Sequence, residues 1–87
     1  MNSKQSKTLK KIFEIPTRSD ITWKEIEVLF NSLGAEVSEG NGSRIRVALN
    51  GVRAVFHKPH PQKEVNKSTI NSICRFLSTG GINYDDL

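Results

Sequence analysis

The sequence has a single cysteine, no long apolar run and, over residues 40–63, no acidic residue at all. One cysteine, Cys74, excludes an internal disulfide and a zinc site built on spaced cysteines, so we expect a small core residue there. No apolar run approaches the roughly 20 residues that a membrane-spanning helix needs, and the first residues contain no hydrophobic secretory segment. We therefore expect a cytoplasmic protein.

Positive charge is concentrated in one part of the chain. The 87 residues include 13 Lys and Arg against 9 Asp and Glu, which gives a net charge of +4. Residues 40–63 alone carry five of the cations and both histidines. Such a stretch creates a positive potential that attracts polyanions, nucleic acid first among them. A membrane surface is a poorer partner, because these cations do not lie on an amphipathic helix.

Apolar spacing and capping signals predict three helices. The first covers Ser6 to Ile15, before a proline that would end it. The second starts at a capping-box pattern formed by Thr22 and Glu25 and ends at Gly34, which suits the left-handed conformation of a helix end. The third starts after a cap at Asn66 and ends before the Gly-Gly pair at 80–81.

The segment between the last two helices has the pattern of strands. Ala35 to Glu39 alternates weakly and leads into a glycine-rich loop. Residues 44–49 and 52–57 then alternate on either side of Asn50-Gly51, the favoured pair for a two-residue hairpin turn. This order predicts an α+β fold, a two-layer sandwich in which helices cover one face of a three-stranded antiparallel sheet.

A two-residue turn fixes the register of the hairpin, and the register decides which side chains share a face. Ile45, Val47 and Leu49 would face the core with their partners on the second strand. The other face would then carry the cross-strand pairs Ala48/Arg53, Arg46/Val55 and Arg44/His57. Guanidinium groups and an imidazole would therefore converge on the uncovered side of the sheet.

Several of these segments, taken in order, resemble the HicA toxins of bacterial toxin–antitoxin pairs. The resemblance rests on Trp23-Lys24-Glu25-Ile26 followed by Leu33-Gly34, on Gly42-Ser43-Arg44 at the start of a strand, and on His60-Pro61-Gln62-Lys63-Glu64-Val65 before a helix with Thr69 and Ile73. It divides the chain into a basic helix or arm at 1–20, a HicA-like domain at 21–82 and an acidic tail at 83–87.

Membership of this family implies a fold like that of the double-stranded RNA-binding domain, ribonuclease activity on messenger RNA, and inactivation by a HicB-type antitoxin. In the family, a histidine held to be catalytic usually follows the Gly-Ser pair, and here Arg44 takes that position. A guanidinium stays protonated near neutral pH, so Arg44 can bind a phosphate or stabilise an oxyanion but cannot act as a base.

Metal-free RNA cleavage needs a base for the 2′-hydroxyl proton, an acid for the leaving 5′-oxygen, and cations for the phosphate. Histidine suits the first two roles because imidazole titrates near neutral pH. The hypothesis is that His57 is the base, His60 the acid and Arg44 a catalytic cation. The cations expected to bind RNA are Arg44, Arg46, Arg53, Lys58 and Lys63. No metal or other cofactor is expected, because the carboxylates form no cluster.

Other interpretations of the same residues remain open. His57 could be a strand-end residue with one ordinary hydrogen bond, and His60 a loop residue that shapes the turn or meets the antitoxin. The arginines could simply keep the sheet face soluble. The chain would then be a noncatalytic RNA-binding module, or a degenerate toxin that mainly binds its antitoxin. The arm could pack on the domain or add RNA contacts through Lys4, Lys7, Lys10 and Lys11.

Overall fold

A computed structural model of the protein describes residues 3–59 and 63–82. The helices are α1 (Ser3–Ile12), α2 (Trp23–Ser32) and α3 (Lys67–Thr79), and the strands are β1 (Glu36–Glu39), β2 (Arg44–Leu49) and β3 (Val52–His57). The strands form one antiparallel sheet in the order β1-β2-β3. Helices α2 and α3 pack on one face of this sheet, and α1 packs against both of them. The predicted α+β sandwich, a fold like that of the double-stranded RNA-binding domain, is therefore confirmed.

The ends of α2 and α3 lie where the sequence signals place them. The Thr22 hydroxyl accepts from the Glu25 amide, and the Glu25 carboxylate accepts from the Thr22 amide, which completes the capping box. Gly34 follows α2 with φ +78°. The Asn66 side chain caps α3 by accepting from the Thr69 amide at 2.8 Å.

The first helix starts and ends three residues earlier than its apolar pattern predicts. The reason is local, because Ile15 precedes a proline and is therefore disfavoured in the helical conformation. Ile15 instead projects into solvent with 94% of its surface exposed, whereas Leu9 and Ile12 are buried against α2 and α3. Helix α1 is thus part of the same core as the rest of the chain.

The core contains a triangle of aromatic rings that joins α2, β3 and α3. Phe30 stacks on Phe56 with ring centres 6.1 Å apart, and Phe76 meets both rings edge-on at 6.0 and 5.7 Å. Trp23 is also buried, and its Nε1 donates to the Glu27 carboxylate. Cys74 packs against this core while half-buried, and its partial burial raises the pKa of the thiol.

None of the helices in the described part of the chain is long and apolar enough to span a bilayer.

Candidate nucleic-acid interface

The β2–β3 hairpin has the register that its turn residues predict. Asn50 and Gly51 both adopt left-handed conformations, with φ 51° and 82°, as a turn of the I′ type requires. The outward pairs are Arg44 with His57, Arg46 with Val55 and Ala48 with Arg53. The inward residues of β2 are at least 95% buried, so the two faces separate as expected.

Arg44 and His57 are close cross-strand neighbours. The Lys58 amide donates to the Ser43 carbonyl at 2.8 Å, which makes Ser43 and Lys58 a hydrogen-bonded pair of the ladder. The adjacent pair, Arg44 and His57, is then of the non-hydrogen-bonded kind, in which the Cα atoms lie only about 4.5 Å apart. Both residues are exposed, so a guanidinium and an imidazole can reach the same phosphate.

The arginines of this face, Arg44, Arg46 and Arg53, are available to an external anion. All three are exposed, and within the described residues none forms an ion pair or a side-chain hydrogen bond. The Arg46 side chain lies towards the Arg44 end of the face, since its Nε is 3.7 Å from where a Cβ on Gly40 would stand. We refer to Arg44, Arg46, Arg53 and His57 as the guanidinium face.

Strand β1 adds a carboxylate that the hairpin pattern alone does not show. Glu36 pairs with Ala48, which pairs on its other side with Arg53, so Glu36 lies on the same face at the Arg53 end. Ser38 occupies the equivalent place beside Arg46. The positive potential is therefore strongest at the opposite end, where Arg44 and His57 meet.

The structure divides the predicted RNA-binding cations between two sides of the sheet. Lys58 follows His57, and alternation along the strand turns it towards the helices. It borders a cleft that Lys63 and Lys24 also line, away from the guanidinium face. His60 lies outside the described residues, so its predicted role as the acid stays a prediction.

Two cations close to α1, Lys11 and Arg18, have internal partners instead. The Lys11 ammonium lies 3.2 Å from Glu25, and Arg18 donates to both Glu14 and Asp20. The hydrogen bond from Arg18 lowers the pKa of the Asp20 carboxyl to about 2. These charges are neutralised within the protein.

Across residues 3–59 and 63–82, no three His, Cys, Asp or Glu side chains are grouped closely enough to hold a metal ion.

A family model described as the HicA toxin of bacterial toxin–antitoxin systems matches residues 23–77. This match covers α2, the whole sheet and most of α3, and it leaves out α1. Searches of curated proteins and of solved structures gave no match.

Proposed function

The chain belongs to the HicA toxin family of bacterial toxin–antitoxin systems, and from this premise we propose that it is an endoribonuclease that cleaves messenger RNA without a metal ion. Members of the family are in general ribonucleases. The observation that carries the proposal is the pairing of His57 with Arg44 on an exposed face. Among residues 3–59 and 63–82, the guanidinium groups of this face have no partner.

The proposed reaction is a transesterification at one phosphodiester, in which the 2′-oxygen replaces the 5′-oxygen on the phosphorus. The imidazole of His57 takes the proton of the 2′-hydroxyl, whose oxygen attacks the phosphorus. The P–O5′ bond breaks, and His60 gives its proton to the leaving 5′-oxygen. Arg44 supports the negative charge of the pentacoordinate phosphate, as a cation placed beside the base can do. The products are a 2′,3′-cyclic phosphate and a 5′-hydroxyl.

His57 replaces the histidine that is usual in the family at the position of Arg44. The register makes this exchange geometrically reasonable, because the two positions face each other across one rung of the ladder. An imidazole on the neighbouring strand can therefore approach the same point above the sheet.

The decisive experiment is an RNA cleavage assay in EDTA. We expect the parent to cleave and His57→Ala to lose about 100-fold or more in rate while keeping its affinity for RNA, as removal of a general base does. Arg44→Ala should lose both rate and affinity. Val55→Ala is the matched control, since it lies on the same strand and face and is 54% exposed. If His57→Ala and Arg44→Ala both cut like the parent, the proposed site is wrong.

A noncatalytic RNA-binding module is the second candidate, and the presence of Arg44 at the usual histidine position favours it. Such a protein would bind RNA with an affinity that falls steeply with salt, and His57→Ala would leave that binding unchanged. Absence of cleavage by the parent, with binding intact, would select this candidate.

We also propose that a HicB-like antitoxin neutralises the protein. Expression alone should then arrest bacterial growth, and coexpression of a HicB-like antitoxin should relieve the arrest. Growth unaffected by the protein would contradict a toxin, although it would leave RNA binding to be measured separately.

A further inference from the structure

A second cationic feature lies on the helix side of the sheet, one residue beyond His57. It is a cleft of about 540 Å³ between the first turn of α2 and the residues Lys58, Pro59 and Lys63. The lysines Lys24, Lys58 and Lys63 line it, together with Trp23, Glu27 and Pro59. We call it the lysine cleft.

Backbone hydrogen bonds hold the walls of the lysine cleft together. The Trp23 amide donates to the Lys63 carbonyl at 3.0 Å, and the Val65 amide donates to the Ile21 carbonyl at 2.8 Å. Thr22 and Glu64 form the bridge between these two bonds. Segments about 40 residues apart in the chain are thereby fixed beside each other, so the lysines are brought together by the fold.

The charge of the cleft is positive. No ion pair or side-chain hydrogen bond involves its three lysines within the described residues. The single carboxylate in the lining, Glu27, already accepts a hydrogen bond from Trp23 Nε1 at 3.1 Å. Lys24 stands in the first turn of α2, where a cation opposes the helix dipole, so helix stability does not explain its position.

We propose that the lysine cleft is a second phosphate-binding subsite for the same RNA chain. This inference rests on the proposed function and extends it, because Lys58 follows His57 directly while facing the other side of the sheet. An RNA strand that crosses the end of β3 therefore meets the guanidinium face first and the ammonium groups of the cleft next. Lysine ammonium groups bind phosphates as mobile point charges.

RNA is favoured over an acidic protein segment because Lys58, which lines the cleft, directly follows His57 at the Arg44–His57 end of the guanidinium face. The two features meet at two adjacent rungs of the sheet, where Lys58 pairs with Ser43 and Arg44 pairs with His57. A strand of phosphates can follow this path, since single-stranded nucleic acid is commonly bound in a groove that tracks its backbone.

The test compares RNA of two lengths with a Lys24→Ala/Lys63→Ala variant. The probes are 2′-O-methyl oligonucleotides of about 4 and about 16 nucleotides, which span usual single-strand site sizes and cannot be cleaved. We expect the variant to bind the long probe on the order of tenfold more weakly, with a salt slope smaller by about 1.4, which corresponds to two lost phosphate contacts. Binding of the short probe should stay unchanged.

Lys67→Ala/Arg75→Ala is the matched control, because it removes two exposed cations from α3 and so makes the same change in net charge. The proposal is overturned if the control weakens binding as much as the cleft variant, or if the cleft variant binds both probes like the parent. It is also overturned if the cleft variant loses only affinity for an antitoxin. A parent that binds neither probe at low salt would instead contradict the proposed function itself.

Cleavage kinetics on RNA with free 2′-hydroxyl groups test the same variant independently. We expect its KM for a long substrate to rise while its kcat stays unchanged, because the cleft contributes binding and no chemistry. A fall in kcat with unchanged KM would place these lysines in the catalytic step and would overturn their assignment as a binding subsite.

Discussion

Two basic regions of this small protein use their charges in different ways. Around α1, Lys11 and Arg18 are held by the carboxylates of Glu25, Glu14 and Asp20. On the guanidinium face, the arginines are exposed and have no such partners within the described residues. The difference indicates that Lys11 and Arg18 are occupied by partners within the protein, whereas the arginines of the guanidinium face are available to a ligand.

The largest expected effect is a loss of stability from the α1 region. Leu9 is fully buried, so Leu9→Ala should lower the free energy of unfolding by about 2–5 kcal/mol, the usual cost of such a cavity. Urea denaturation followed by circular dichroism measures it, with the exposed Ile15→Ala as control. An unchanged denaturation midpoint would show that α1 is not part of the cooperative core.

Substitutions on the guanidinium face should weaken RNA binding and leave the stability of the fold nearly unchanged. We expect Arg44→Ala/Arg46→Ala/Arg53→Ala to weaken RNA binding on the order of 100-fold at low salt and to reduce the salt slope by about 2. Its free energy of unfolding should stay within about 0.5 kcal/mol of the parent, because the side chains are exposed. Fluorescence anisotropy with labelled RNA measures the affinity.

A triple variant of Lys7, Lys10 and Lys67 to alanine controls for net charge in that experiment, since all three lysines are exposed and lie on helices. Equal weakening of RNA binding by both triple variants would remove the distinction between the two regions.

A smaller effect on the stability of the fold should appear at acidic pH. Burial of the Glu25 carboxylate disfavours its charge, but hydrogen bonds from the Thr22 amide and Lys11 outweigh this, so its pKa is lowered from 4.5. Since the folded state binds this proton more weakly than the unfolded chain, ionised Glu25 stabilises the fold above about pH 4.5 and the contribution disappears as the pH falls further. Glu25→Gln should therefore show a flatter acid denaturation profile than the parent.

Glu64→Gln serves as the control for that profile, because the Glu64 carboxylate is exposed and forms no side-chain hydrogen bond with the part of the chain that the structure describes. Parallel profiles for the parent and Glu25→Gln would mean that the capping box contributes nothing to acid stability.

The smallest effect is expected for Arg18→Ala. Its ion pairs with Glu14 and Asp20 are exposed to solvent, where screening and side-chain entropy cancel most of the attraction. We expect a barely detectable fall in melting temperature at low salt and none at 1 M salt, at which the screening length is about 3 Å. A large fall that persists in high salt would indicate a packing role for the Arg18 side chain.

Local signals in the sequence predicted the elements next to the candidate site. Asn50-Gly51 fixed the β2–β3 register and hence the Arg44–His57 pair, because a turn acts on residues adjacent to it in the chain. Thr22, Glu25 and Asn66 gave the helix starts for the same reason. Both ends of α1 lie three residues earlier than predicted, and the predicted end at Ile15 was wrong because a residue before a proline is disfavoured in a helix.

Features formed by segments distant in sequence were not predicted. The position of Glu36 on the guanidinium face depends on the register in which β1 pairs with β2. A weakly alternating strand does not fix that register from the sequence. The contact of Phe76 with Phe30 and Phe56 likewise depends on how α3 lies across the sheet.

The sequence by itself determined the hairpin, its two faces and the convergence of arginines with His57, because each depends on a two-residue turn and on the alternation of side chains along a strand. Only the tertiary structure decided that Lys24, Lys58 and Lys63 line one cleft and that α1 completes the core. Those arrangements depend on backbone pairing and burial between segments far apart in the chain, and no local pattern of residues encodes them.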